Sequence, residues 1–310
     1  MPINRTIPPI YLPPEHPDYR PAWQAGTLVD CCMVLEGGAM RGQFSAGVLD
    51  YLMDEGILPD KVVGVSAGAL NGFNFRAGAR GRSSYLNIKY CKDWRYFSMR
   101  CFALTGSAFN AKFVFHKIPD KLDPLDFAAY DSSPITLFTV ASDLQLGEAS
   151  YHQLRKARSE RDWLRASASL PILSRIVEVD GLKLLDGGIC DSVPMDFAAS
   201  LNSKKTLVVL TRDRDYLKPP YRGQALALAR RLYRDYPWFL ERMAHRSYEY
   251  NRMYRRIARM AASGEIFVLR PPAPVEIASM EHDPDKLYQL YLTGYAEAKR
   301  RGQELARYLG

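Results

Sequence analysis

The sequence predicts an α/β fold: a mainly parallel sheet covered by helices, followed by a helical C-terminal part. Two adjacent segments carry this reading. Cys31-Cys-Met-Val-Leu-Glu36 is a short apolar run stopped by glycines, the pattern of a buried strand. Gly42 to Leu52 follows, with Phe44, Val48, Leu49 and Leu52 at helical spacing. Val62 to Val65 and then Ala67 to Ala77 repeat the strand-helix order, and two β-α units in a row imply parallel pairing. Later in the chain, Gln224 to Ala262 reads as helical with a break near Pro237, and a final helix is expected from about Pro284 to Leu309.

Between these parts, Ile135 to Ala141 and Glu148 to His152 form a strand pair flanking the turn Asp143 to Gly147. Arg161 to Ser169 reads as a helix ended by Pro171. Ile176 to Asp180 and Lys183 to Leu185 make a hairpin around Gly181. Thr206 to Leu210 is a core strand, and Ile266 to Leu269 is a strand closed by Pro271 and Pro272. Residues 78–130 mix aromatic and basic side chains without a period that assigns them. The resulting organisation is a Pro-rich arm over 1–29, a catalytic core over 30–200, and strands and basic helices over 201–310 that complete the same domain.

Length and composition bound the function class. The chain has 310 residues, 47% hydrophobic and 25% charged, within the range of soluble globular proteins. No apolar run approaches the roughly 18 residues that span a bilayer. The first 30 residues carry seven prolines and no apolar stretch of the secretory kind, so a cytoplasmic protein with an extended or mobile arm is expected. Five cysteines without CxxC spacing or nearby histidine pairs point to reduced thiols, with no disulfide framework and no metal or other cofactor. The net charge of +8 is concentrated: residues 222–262 hold ten arginines and three acids, leaving the rest of the chain near neutrality. Such a segment suits an anionic partner. Leu232, Tyr236, Phe239, Met243, Tyr250, Met253, Ile257 and Met260 recur between these arginines near helical spacing. The segment is therefore either a helix pair on the sheet with a solvated basic face or a peripheral contact with anionic membrane.

Three motifs carry chemistry. Gly64-Val-Ser66-Ala-Gly68 stands where a strand hands over to a helix, the nucleophile-elbow arrangement. Chance would produce GxSxG only about 0.1 times in a chain of this length and glycine content. The turn presents the serine hydroxyl at a helix N-terminus, where the dipole favours a developing alkoxide. Gly37-Gly-Ala-Met-Arg-Gly42 also follows a strand and opens a helix, so it exposes several N–H groups to one point. It lacks the GxGxxG pattern of a dinucleotide loop, and in serine hydrolases a glycine loop one unit away supplies part of the oxyanion hole. Asp186-Gly187-Gly188 closes the hairpin, and alone it reads as a turn. Of the five histidines, only His245 and His282 follow Asp186 as a Ser-Asp-His order requires; neither is on a loop just after a strand.

The order GGxxRG, GxSxG, DGG resembles the patatin-like phospholipase family, over about residues 31–200, and the whole-chain pattern is similar to its bacterial members. Arg165 to Pro171 and Ser142 to Gly147 resemble supporting segments of the same family. The resemblance implies a three-layer α/β/α sandwich with a flavodoxin-like core and lipid acyl hydrolysis by a Ser-Asp dyad without a catalytic histidine. It implies Ser66 as nucleophile, Asp186 as general base, and the N–H groups of Gly37, Gly38 and Ala39 as oxyanion hole, with Arg41, Gly42, Gly64, Gly68, Gly187 and Gly188 as supporting motif residues. The implied substrate is a phospholipid or other lipid ester, with no nucleic acid expected. Ala39 departs from the family's third glycine, so a loop needing positive φ there would be strained. Arg41 falls in the first turn of a helix, where a cation is unfavourable, and a structural ion pair is expected for it rather than substrate contact. Competing readings are a lipid acyltransferase on the same dyad, a His-dependent esterase, and a non-catalytic protein that binds an anionic partner.

Overall fold

A computed structural model describes residues 11–221 and 223–310. The prolines at 2, 8 and 9 and Arg222 therefore lie outside the described residues. The first unit is β1 (Thr27–Leu35), a 3-10 turn (Ala39–Arg41) and α1 (Gly42–Asp54). The second is β2 (Ile57–Val65) and α2 (Ala67–Arg76). Both strands start earlier than the apolar pattern indicates: Thr27 to Asp30 of β1 are mostly exposed, and Pro59, Asp60 and Lys61 interrupt the apolar residues of β2. Strand pairing therefore begins inside the stretch assigned above to the N-terminal arm, with Thr27 across from Ile57.

Four helical segments fill the region that sequence pattern left unassigned: α3 (Arg82–Tyr90), α4 (Met99–Thr105), a π-helix (Phe113–Leu122) and α5 (Phe127–Ser132). Then come β3 (Thr136–Asp143), β4 (Glu148–Gln153), α6 (Arg161–Ser167), β5 (Val177–Val179) and β6 (Leu182–Asp186). The chain ends with α7 (Met195–Ser200), β7 (Lys205–Val209), α8 (Gly223–Leu232), α9 (Pro237–Ala262), β8 (Phe267–Leu269), α10 (Pro284–Arg300) and α11 (Gly302–Leu309). Pro237 opens α9, where its missing N–H costs nothing. The expected C-terminal helix is interrupted at Arg301, which separates α10 from α11.

The eight strands form one sheet in the order β5-β6-β3-β2-β1-β7-β8, with β4 on β3 outside this path. β1 pairs in parallel with β2 and β7, as do β2 with β3 and β7 with β8; the pairs around β4, β5 and β6 are antiparallel. Side chains alternate between faces along a strand. Met33 and Leu35 accordingly join a core with Phe44, Val48 and Leu52 of α1, Phe73 of α2 and Leu290 of α10. Cys32 and Val34 point the other way, into a core with Met195 and Ala198 of α7 and Tyr250, Tyr254 and Ile257 of α9. The result is three layers, helices on both faces of a mostly parallel sheet.

Candidate active site

Strand register brings together residues that are 120 positions apart. On β3, Val140 stands between Tyr151 of β4 and Val65 of β2, and the next residue, Ala141, stands between Ser150 of β4 and Asp186 of β6. Because β4 occupies one edge of β3 throughout, β2 and β6 share the other edge. They run in opposite directions and meet with their C-terminal ends facing. Ser66 follows the last residue of β2 and Asp186 is the last residue of β6.

Ser66 has φ +54 and ψ −120 and caps α2. A non-glycine residue in this region is strained, and at functional sites the surrounding structure holds such strain in place. The holding contact here is a bond from the Ser66 N–H to the Ser167 hydroxyl oxygen at 2.9 Å, both residues buried. The turn is also crowded. A side chain at Gly64 would come within 2.6 Å of Ala69 Cα, and one at Gly68 would strike the Leu35 carbonyl. Gly187 is packed the same way against the Val140 carbonyl.

Asp186 is buried. Its Oδ1 accepts from the Gly188 N–H at 2.8 Å, its backbone N–H donates to Ser169, and its carbonyl accepts from the Ser142 hydroxyl. Its Oδ2 has no bonded partner among the described residues. Burial pushes the carboxyl above its ordinary range, opposed first by the neighbouring Ser66 hydroxyl, then by Arg246, the Gly188 N–H and Lys218. Ser66 is thus the largest polar influence opposing that rise, without a hydrogen bond of normal geometry between the two side chains. Bonds of this type are often loose in a resting site.

The loop from Gly37 to Ala39 packs on Ser66: a Cβ at Gly37 would stand 3.0 Å from Ser66 Cβ. The N–H groups of Gly37, Gly38 and Ala39 have no backbone acceptor among the described residues. Thr211 braces the loop, donating to the Gly37 carbonyl and touching the space beside Gly38. Ala39 takes φ +49, so the third position does require the left-handed region and alanine occupies it. Arg41 does not make the expected ion pair. It donates to the Ile277 carbonyl at 3.2 Å and toward Ser279 Oγ, and forms no ion pair among the described residues. The helix start that disfavours a cation is relieved through these neutral oxygens. Gly42 follows Arg41 at the first turn of α1 and sits against Ala67 and Asn71 of α2.

On one side of Ser66 lies a cavity of about 160 Å³, lined mostly by apolar groups including Leu70, Phe73, Leu86, Phe109, Phe115 and Leu164. Its distal wall comes from α3, the π-helix and the segments joining them. No hydrogen bond among the described residues links a histidine to Ser66 or Asp186. His245 faces solvent along α9, His282 bonds the Cys91 carbonyl, and His152 stacks on Trp163. All five cysteines are free, and no cluster of three or more metal-type ligands occurs among the described residues. Three bonding residues escaped the sequence motifs. Ser142 and Ser167 lie inside the two supporting segments quoted above, but Arg246, which donates to the Gly188 carbonyl, had no local signal.

A model of the patatin-like phospholipases matches residues 33–199, more than half of the chain. The chain belongs to the patatin-like phospholipase family. A second model, of a domain of unknown function, matches residues 236–310, which span α9 to α11. Among similar proteins, YjjU of Escherichia coli is 30% identical over 193 residues, covering 58% of this chain and 51% of YjjU. Human patatin-like phospholipase domain-containing protein 6 is 26% identical over 209 residues, which is 63% of this chain and 14% of that protein. The chain spans about half the length of the first curated relatives it matches. The structure of VipD from Legionella pneumophila aligns over 88% of this chain and 66% of that one, at 11% identity and a TM-score of 0.40. The patatin-like region contains both Ser66 and Asp186, whereas Lys218 and Arg246 lie beyond it.

Proposed function

We propose that the protein hydrolyses carboxylic ester bonds of lipids, as a phospholipase A or lysophospholipase, through a Ser66–Asp186 dyad. One observation carries the reading: a buried carboxylate with an unpartnered oxygen faces a strained serine at the mouth of an apolar cavity. Asp186 Oδ2 takes the proton of Ser66 Oγ as that oxygen attacks the ester carbonyl. The N–H groups of Gly37, Gly38 and Ala39 receive the oxyanion, each such donor contributing about 3–4 kcal/mol. Asp186 then protonates the departing alcohol, and a water activated by the same carboxylate releases the fatty acid. The test is labelling by a fluorophosphonate probe together with a panel of phospholipids and p-nitrophenyl esters. Wild type should label and hydrolyse, and Ser66→Ala and Asp186→Ala should do neither. Robust hydrolysis by Asp186→Ala would sink the dyad, and products acylated on an added alcohol would identify a transferase.

A second reading concerns the surface. Leu228, Leu232 and Trp238 are exposed beside Arg230, Arg231 and Arg234. This mixture suits contact with an anionic bilayer. No helix of the described residues is long and apolar enough to cross a membrane. Sedimentation with anionic vesicles that is unchanged when these three arginines become glutamine would remove this reading.

A further inference from the structure

An ester has two arms, and the apolar cavity accounts for only the acyl one. The alcohol arm must leave Ser66 on another side. Between the glycine loop and the Asp186-Gly187-Gly188 turn stand four cations: Lys218 is within electrostatic reach of Arg41, Arg212 and Arg246, Arg41 is within reach of Arg212, and Arg246 donates to the Gly188 carbonyl. Other arginines that approach a carboxylate do pair with it, as Arg80 does with Asp54, Arg161 with Asp120 and Arg301 with Glu304. None of these four has an ion-pair partner among the described residues. Neutral groups hold them instead: Arg212 lies 4.2 Å over the Tyr216 ring, and Lys218 Nζ lies 4.1 Å from the centre of the Tyr250 ring.

The local acids offset only part of this charge, and neither forms an ion pair with a member of the cluster among the described residues. Glu36 is buried and already accepts from Thr211 N at 2.7 Å, Thr211 Oγ1 and the hydroxyls of Tyr250 and Tyr254. Asp186 is the other carboxylate in reach. The lysine is also anchored: its N–H donates to Asn251 Oδ1 at 2.9 Å, and Asn251 Nδ2 donates to its carbonyl at 3.2 Å. Its ammonium nevertheless has no hydrogen-bond acceptor among the described residues. Burial, then Arg246, push it down to about 7; Glu36 opposes this, and Arg41 and Arg212 add to it. Concentrated positive charge with unused donors, next to a reacting centre, is complementary to an oxyanion.

We propose that Lys218 and Arg212, backed by Arg246, form a phosphate subsite that receives the headgroup phosphate on the alcohol side of the scissile ester. The assignment rests on the hydrolase reading above and adds to it a preference for phosphate-bearing over neutral glycerides. The experiment compares 1-acyl-glycerol-3-phosphate with the monoacylglycerol of the same chain, in the same detergent micelle, on the full chain. The ratio of their kcat/KM values should fall at least about tenfold in Lys218→Gln, the effect of losing one charge-assisted bond, and recover partly in Lys218→Arg. Arg212→Gln should lower the same ratio, which keeps the test decisive if Lys218→Gln fails to fold. An unchanged ratio, or an equal loss on both substrates, overturns the subsite.

Calorimetric titration with glycerol 3-phosphate and with inorganic phosphate separates this inference from the catalytic one. If wild type hydrolyses neither lipid, the hydrolase reading fails. Glycerol 3-phosphate binding that is lost in Lys218→Gln would still support the subsite, and equal binding to both proteins would overturn it. Binding of inorganic phosphate alongside an unchanged substrate ratio would overturn assignment to a lipid headgroup.

Discussion

Replacing Ser167 by alanine deletes a single oxygen, the one that accepts the Ser66 N–H at 2.9 Å. Both residues are buried, and the space freed is one hydroxyl, too small for a water to replace it. An unsatisfied buried N–H costs about 1–3 kcal/mol. At roughly 2 °C per kcal/mol for a chain of this size, the melting temperature should fall by about 2–6 °C. Function should suffer more than stability, because the same bond restrains Ser66 at φ +54, a conformation that stores about 1–3 kcal/mol. Relaxation of that turn moves Oγ away from Asp186, and a displacement near 1 Å is worth about 100-fold in rate. The assay is the second-order rate of fluorophosphonate labelling, read with a thermal melt on the same samples. Ser167→Ala should label about 10- to 100-fold more slowly, with Ser167→Thr intermediate. Wild-type labelling and melting in Ser167→Ala would refute the idea that this bond holds the turn.

Other perturbations follow from the same geometry. Asp186 is raised by burial, so its folded form binds a proton more readily than the unfolded chain; the cost to stability is present above the folded pKa and disappears as pH falls through it. Asp186→Asn should therefore raise the melting temperature at pH 7 while abolishing hydrolysis, and the acid limb of the wild-type rate profile should lie above the ordinary carboxylate range. Ala39→Gly relieves a left-handed alanine, a strain of about 1–2 kcal/mol partly offset by glycine's greater unfolded entropy, so a small rise in melting temperature is expected by calorimetry. Leu86→Trp fills the apolar cavity and should reduce kcat/KM for dodecanoyl against butanoyl p-nitrophenyl esters.

The elements that sequence made legible are those whose burial is periodic. β1, α1, β2 and α2 have continuous or helically spaced apolar residues, and the glycines around Ser66 mark a turn that only small residues can make. Residues 78–130 resisted because their helices are short and polar on several faces, and the π-helix even contains Pro119. Helix electrostatics predict that a cation at Arg41 needs a partner, yet do not say which; the oxygens it bonds belong to Ile277 and Ser279, more than 230 residues away. Asp186 reads locally as a turn residue, and only the order of the three motifs singles it out in the sequence; the β3 register places it beside the end of β2. Lys218 had no motif at all, since its setting depends on Asn251 and Tyr250 of α9.

The opposed ends of β2 and β6 on one edge of β3 separate two tasks that many enzymes entangle. The proposed reacting pair is referenced to the backbone of a single central strand, whereas much of the cavity wall comes from short helices inserted between β2 and β3. Residues of that insert that only line the cavity can be exchanged without touching the strand register against which Ser66 and Asp186 are set. On the proposed function such a chain can drift in the acyl groups it accepts while its chemistry stays put, and libraries randomised only at the lining positions Leu86, Asn87, Val114 and Phe115 should yield altered chain-length preference more often than dead enzyme.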